Sequence, residues 1–349
     1  MPSPLYGPID SPADWRGPDL ARRTDWTYRL TADDRAEIEA GLDRCIAADR
    51  PFAGMTAADL PLPAFAHRLL HAREVLETGC GIFLFRGFPV AGRSVDDLRR
   101  LYWGIGRHIG TAVSQSKRGD MLGDVRDIGT DVSGREGRGY TSRAELEFHT
   151  DSADVSALFF LRTARAGGLS RFVSSVAIHN EIARQHPEFL KTLYEPFIWS
   201  RQGQERKGEA AWYGQPVYGV EQGYFASRYI RTHILSARKH HDVPRLTELQ
   251  CDALAAIDRL AGDPAFCLDT MLAPGDMVFL NSHTTYHART EFEDHPEPER
   301  KRHLLRLWLS VPNSRPLPEG WSAVYRDRRP GAVRGGFPGH AEAPAYATE

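Results

Sequence analysis

Apolar residues recur at helical spacing along TADDRAEIEAGLDRCIAA (31–48): Ile38, Leu42 and Ile46 share one face, Thr31 can cap the first turn, and Asp33 and Asp34 sit where a helix dipole favours acids. The pattern predicts a helix. AFAHRLLHAREVLETG (64–79) and SVDDLRRLYWGIGRHIG (94–110) repeat it, and between them CGIFLFRGFPV (80–90) is short, apolar and bounded by Gly and Pro, as a strand is. Periodicity then disappears over residues 111–144, which are loaded with Gly, Ser, Asp and Arg. A loop of that length in a compact domain predicts a lid. Beyond it VSALFFLRTA (155–164), LSRFVSSVAI (169–178), GYFASRYIRTHI (223–234), MVFLNSHTTYH (277–287) and HLLRLWLSV (303–311) read as strands, interrupted by one amphipathic helix, LTELQCDALAAIDRLAGD (246–263).

Short spaced strands with helices outside suggest a mainly β fold of the jelly-roll or cupin-like kind, two sheets packed face to face. The expected division is an N-terminal extension over 1–65 carrying one helix, a catalytic jelly-roll domain over 66–330 and a C-terminal tail over 331–349. The first 30 or so residues, rich in Pro, Gly and Asp, are expected to wrap the surface without a core of their own.

Composition narrows the function. With 46 acidic against 44 basic residues in 349, no long-range field points to nucleic acid or an anionic membrane, and a small-molecule partner is expected. The four cysteines, Cys45, Cys80, Cys251 and Cys267, form no C-x-x-C pair, so neither a zinc knuckle nor a disulfide framework is indicated. The N-terminus has prolines and acids where a signal peptide needs a basic start and an apolar run, and no stretch approaches the ~20 apolar residues of a membrane span. The expectation is a cytoplasmic protein, and a homo-oligomer is compatible with the sequence.

The candidate chemistry starts at EFHTDSADV (147–155). His149 and Asp151 are two apart, so on extended backbone both leave the same face and can converge on one point. A facial-triad iron site needs two imidazoles and one carboxylate on one side of the metal. In APGDMVFLNSHTTYHARTEFED a third ligand is available: His287 follows an apolar strand and a polar turn, and His283 competes with it.

Four stretches in order, His149-x-Asp151, GGLS (167–170), NSHTTYHAR (281–289) and RKRHLLRLWLS (300–310), resemble the TauD/TfdA-like family of Fe(II)- and 2-oxoglutarate-dependent dioxygenases over residues 79–310. The resemblance implies a double-stranded β-helix, with Fe(II), 2-oxoglutarate as cosubstrate and O2. It implies His149, Asp151 and His287 as iron ligands, leaving His283 a supporting or turn residue. It further implies that Ser170 and Arg302 bind the distal carboxylate of 2-oxoglutarate, with Arg306 the alternative clamp, or else a residue that approaches the substrate or supports the site. A carboxylate suits a bidentate guanidinium with a hydroxyl beside it. Alternation along a strand would point Arg302 and Arg306 inward and Lys301 and His303 outward. The 14 residues between His287 and Arg302 include two prolines and many charges, which loosens the register of the arginines.

Asp151 stands where halogenases of the family carry Gly or Ala, so the expected outcome is hydroxylation of a C–H bond with release of succinate and CO2, desaturation being another outcome of the same oxidation. Gln115, Ser116 and Phe148 are candidates for lid or pocket, and Trp212 and Tyr213 for a pocket wall; Asn180 is assigned no catalytic role. Arg306 with Lys117, Arg118 and Arg126 would suit an anionic group, pointing to a small organic acid or amino-acid derivative. Two rival readings stand beside this one: a cupin-like protein binding a metal or small acid without turnover, and a zinc hydrolase whose bound water is the nucleophile. The intact triad together with the carboxylate clamp counts against the first, and the second gives the Arg302 and Ser170 pair no purpose.

Overall fold

The segment Met277–Asn281 is apolar at its first four positions because it lies inside a sheet that is covered on both faces. The structure, a computed structural model, describes residues 6–129 and 142–337. Its larger sheet has seven strands, running Thr27–Arg29, Ile82–Arg86, Met277–Asn281, Val155–Arg162, His303–Ser310 and Thr111–Ala112, with Leu122–Val125 also paired to His303–Ser310. Every pairing is antiparallel except the first. A smaller sheet runs Leu268–Thr270, Ser170–Ser174, Thr285–Arg289, Leu146–His149. The two form the jelly-roll core, and the chain passes between them at the turn joining Met277–Asn281 to Thr285–Arg289 and at residues 150–154.

Side-chain alternation assigns the layers. Ile82, Leu84, Phe160, Val278 and Leu280 of the larger sheet meet Phe172 and Leu268 of the smaller one. The other face of the larger sheet, with Phe83, Phe85, Phe159, Leu305 and Leu307, packs under the helices Ala32–Ala47, Ala66–Thr78 and Val95–Ile109. Val173, Tyr286 and Ala288 of the smaller sheet pack under Ser175–Gln185, Pro187–Leu193 and Glu248–Gly262. Phe85 is fully buried among five other rings, so Phe85→Ala would cost about 3–5 kcal/mol.

The four periodic helices form where expected, and Thr31, Ser94 and Thr247 each close a capping box, with Asp34, Asp97 and Gln250 as the returning side chains. Two strand expectations need correction. Residues 169–178 are a strand only to Ser174, whose hydroxyl accepts from the Ala177 amide and starts the helix Ser175–Gln185. Residues 223–234 are a strand only over Tyr224–Ser227 and turn into the helix Arg231–Ser236. The N-terminal segment also does more than wrap. Trp15 and Trp26 join the core between the sheets, and Trp15 donates to the carbonyl of Cys80.

Of the expected lid, residues 130–141 lie outside the described residues, while Thr111–Ala112 and Leu122–Val125 on one side are edge strands of the larger sheet. Within the tail, residues 338–349 lie outside as well. Arg334 is buried against Asp154 at 2.8 Å, which ties the preceding stretch to the core. No helix among the described residues is long and apolar enough to cross a membrane.

Candidate metal centre

His149 ends its strand and pairs in register with His287 on the neighbouring one, so two adjacent strands of the smaller sheet each aim an imidazole between the sheets. The ring centroids are 4.2 Å apart. Asp151 lies where the chain crosses to the larger sheet, 3.8 Å from His287 Nε2, and one ligand atom from each of the three side chains falls within 4.8 Å of the others. Two nitrogens and one carboxylate oxygen at that separation can bind a divalent transition metal.

The surroundings orient these groups. His149 Nδ1 lies 2.8 Å from the Glu147 carbonyl, so it carries the proton and leaves Nε2 as the free donor atom. Ser156 donates a short hydrogen bond to Asp151 Oδ2, and Arg306 Nη1 stands 3.7 Å from Oδ1. Burial would push the Asp151 carboxyl up, but Arg306 and the two histidines hold it below the ordinary range. Burial lowers both imidazoles, and His287, further opposed by His149, falls to about 3. All three are thus in metal-ready form at neutral pH.

Arg306 itself is fixed by Gln115, whose Oε1 accepts from its Nε at 2.7 Å and whose amide donates to the Arg306 carbonyl at 2.8 Å. Gln115 therefore supports an arginine. Ser116 donates to Asp120 within its own turn. Phe148 is a correction: as the neighbour of His149 on a strand it faces the other way, into the core under the helices, with Arg171 over its ring at 5.2 Å. Asn180 staples the N-terminal segment through Ile9 and Asp14.

His283 does not reach the triad. It is buried 3.0 Å from Asp154, and burial lowers it to about 4. His303 does not point outward as alternation suggested. A register shift between His303 and Leu304 turns it onto Asp124 at 2.6 Å, a carboxylate that Arg99 also binds. Lys117 donates to the Gly203 carbonyl and Arg118 lies 3.6 Å from Asp120, so neither converges on the triad.

A second locus lies near the inner end of the same strands. Arg302 is 4% exposed, its Nη1 has no hydrogen-bond partner among the described residues, and burial, with Arg289 beside it, pulls its guanidinium down to about 9. Ser170 is buried opposite Arg289 in the strand register. Gly168 in the GGLS turn has a φ of 73° and comes so near that a Cβ there would lie 3.6 Å from Arg302 Nε. Arg289 was missed by sequence reasoning. It stacks on Phe292 at 4.6 Å, as Arg302 does at 5.1 Å, and binds the carbonyls of Ser142 and Ala144 with its Nε unpartnered among the described residues. The signal available was its place two residues after His287, which puts both on one face.

Residues 48–308 match the family described as Taurine catabolism dioxygenase TauD, TfdA family. The FR-33289 synthase of Streptomyces rubellomurinus is 30% identical over 329 residues, covering 91% of this chain and 95% of that protein. Among solved structures, an asparagine oxygenase in complex with Fe(II), 2S,3S-3-hydroxyasparagine and succinate superposes with a TM-score of 0.64 at 16% identity, over 82% of this chain and 93% of the other. The non-heme iron oxygenase OrfP in complex with Fe and alpha-ketoglutaric acid gives 0.62 at 16%, over 81% and 93%. These two likenesses are likenesses of fold.

Proposed function

The chain belongs to the TauD, TfdA family and is a dioxygenase, an oxidoreductase; from that premise we propose that it is Fe(II)- and 2-oxoglutarate-dependent and hydroxylates a C–H bond of a small acidic substrate. The carrying observation is the convergence of His149, Asp151 and His287 between the sheets, with buried Arg302, whose Nη1 has no hydrogen-bond partner among the described residues, near the same strands. The donor set fits iron, and an orphaned buried guanidinium fits the far carboxylate of a dicarboxylic cosubstrate.

In this reading His149 Nε2, Asp151 and His287 would hold Fe(II), and Arg302 with Ser170 would hold the distal carboxylate of 2-oxoglutarate. When bound, the metal with 2-oxoglutarate and O2 supplies the oxidation, in which the cosubstrate becomes succinate and CO2 and one oxygen atom enters the substrate C–H bond. The chain's own residues orient and exclude. The Glu147 carbonyl fixes the tautomer of His149, and Ser156 and Arg306 fix Asp151 in its charged form. Gln115 holds Arg306 in place through two hydrogen bonds, one to its side chain and one to its backbone. Asp151 fills a coordination position with carboxylate, which favours hydroxylation over halogenation. Two relatives of the fold carry hydroxylated amino acids or 2-oxoglutarate by description, and that supports the substrate class. A zinc hydrolase would give the Arg302 and Ser170 pair no role. Four free cysteines among the described residues accord with a reducing cytoplasm.

The test is cosubstrate turnover. Protein loaded with Fe(II) should convert 2-oxoglutarate to succinate in air, faster with its substrate present, and His287→Ala should abolish it. Succinate formation that persists in His287→Ala, or activity restored by zinc in place of iron, would sink the reading.

A further inference from the structure

Asp151 is the one member of the triad that no strand holds. His149 and His287 sit on neighbouring strands of the smaller sheet, whereas residues 150–154 cross between the sheets outside any ladder. A ligand on such a crossing needs its backbone fixed from elsewhere, because a metal site is held to within about 0.5 Å by the residues behind it. Tyr229 fixes the front of the crossing, its carbonyl accepting from the Thr150 amide at 2.8 Å. Behind Asp151 the restraint comes from residues 334–337, far along the chain.

RGGF (334–337) lies directly on that crossing. The Gly336 amide donates to the carbonyl of Ser152, the residue after Asp151, at 2.6 Å. The approach is so close that a Cβ on Gly335 would lie 2.6 Å from the same oxygen, and Gly335 and Gly336 both hold positive φ, at 78° and 65°. On its other side the segment meets the chain that carries Gln115. The Phe337 amide donates to the Ser114 carbonyl at 2.8 Å, and a Cβ on Gly336 would lie 2.6 Å from that oxygen. Gln115 in turn fixes Arg306, which stands 3.7 Å from Asp151. The Phe337 ring closes the same circuit, packing on Trp308 at 5.9 Å, with the Arg306 guanidinium 5.1 Å over the Trp308 ring.

Arg334 anchors the segment. Its Nε donates to Asp154 Oδ1 at 2.8 Å, its Nη2 to the Arg315 carbonyl at 2.6 Å and its Nη1 to the Arg329 carbonyl at 3.1 Å, while its backbone amide donates to Ser310 Oγ at 3.1 Å. A buried guanidinium with all three nitrogens bonded is costly to release, so the segment is held firmly. Asp154 stands three residues after Asp151 and has a second partner, His283 Nε2, 3.0 Å away on the turn that leads into the strand of His287. The Ser282 amide of that turn donates to the Asp154 carbonyl at 2.9 Å. One buried residue thus joins the segment both to the Asp151 crossing and to the turn before His287.

We propose that residues 334–337 are a positioning strap for the metal centre: Arg334 anchors it, and the backbone of Gly335 and Gly336 sets the place of the Asp151 carboxylate and, through Ser114 and Gln115, of Arg306. The assignment rests on the oxygenase reading above, since it takes the triad as the site of Fe(II). The strap touches neither metal nor substrate and transfers no group. Glycine is required at both positions because a side chain there drives the strap off Ser152 or Ser114, and the crossing then moves with its ligand.

The experiment measures the Fe(II) affinity of full-length protein by anaerobic competition with a chelator, beside the urea midpoint of the metal-free protein. Gly335→Ala and Gly336→Ala should each weaken Fe(II) by about ten- to a hundredfold, the range for residues that orient a ligand, and shift the charge-transfer band of the Fe(II)–2-oxoglutarate complex. Leu42 is fully buried in the helix layer on the far face of the larger sheet, so Leu42→Ala should lower the urea midpoint and leave Fe(II) affinity and the band as in wild type. Phe337→Ala, at a half-buried position at the end of the strap, should weaken Fe(II) severalfold and carries the test if the glycine variants do not fold. Wild-type Fe(II) affinity in the strap variants that fold, or an equal loss in Leu42→Ala, overturns the proposal and leaves the segment a purely structural role. Wild-type protein that binds no Fe(II) overturns the oxygenase reading, and the strap's role with it.

Discussion

Replacing Arg302 with methionine should move stability and cosubstrate affinity in opposite directions. The guanidinium is buried and pulled from the ordinary arginine range down to about 9, first by burial and then by Arg289. At about 1.4 kcal/mol for each pH unit, that fall bounds the cost of keeping the charge in the fold at roughly 5 kcal/mol. Methionine removes this cost and keeps most of the volume, but forfeits the contact with Phe292, worth about 0.5–2 kcal/mol, and the Arg302 backbone bond to Asp294 is unaffected. The expected net effect is a gain of at most about 3–4 kcal/mol in the absence of cosubstrate, against a usual single-substitution loss of about 1 kcal/mol. With 2-oxoglutarate the order reverses, because the charge-assisted pair is lost and affinity falls by about tenfold to a hundredfold or more. Urea denaturation with and without 2-oxoglutarate reads the first quantity, and anaerobic titration of the Fe(II) protein reads the second. A variant that is less stable than wild type without cosubstrate, or that binds 2-oxoglutarate as tightly, would refute the claim that Arg302 waits for a carboxylate.

Ser156→Ala removes the hydroxyl that holds Asp151 and should lower Fe(II) affinity by about ten- to a hundredfold, measured by competition with a chelator, because a ligand's supporting hydrogen bonds matter on that scale. Gln115→Leu deprives buried Arg306 of an acceptor and should reduce urea stability by about 1–3 kcal/mol, with an unchanged midpoint as the contrary result. His179 is buried and held to about 4, against about 6.5 in an unfolded chain, so the unfolded state binds the extra proton first. Its contribution is complete above pH 6.5 and is lost as pH falls toward 4, on the order of 3 kcal/mol. His179→Phe should flatten that acid limb of a stability-against-pH curve, and an unaltered slope would contradict the assignment.

Much of the site was legible because its signals are local. H-x-D kept a histidine and a carboxylate two residues apart, although Asp151 lies just past the strand's end, and His287 was preferred to His283 on the family resemblance. The capped helices were equally plain, since Thr31, Ser94 and Thr247 each carry their own partner three residues on. What could not be read depends on tertiary neighbours. Ser174 ends a strand and caps a helix in the same residue, so the apolar run after it gives no sign that its period has changed. The orientation of His303 hinges on a bulge that only the pairing with Val155–Arg162 creates. Arg289 stands two residues after His287, but its burial beside Arg302 and opposite Ser170 comes from strand pairing that the sequence does not display.

The most direct test of the central claim is the visible spectrum of anaerobic protein with saturating Fe(II) and 2-oxoglutarate. A weak metal-to-ligand charge-transfer band should appear in wild type and be absent from His149→Ala and Asp151→Ala. No band in wild type at proven saturation, or a band that survives both substitutions, would contradict the assignment of these residues as the iron ligands.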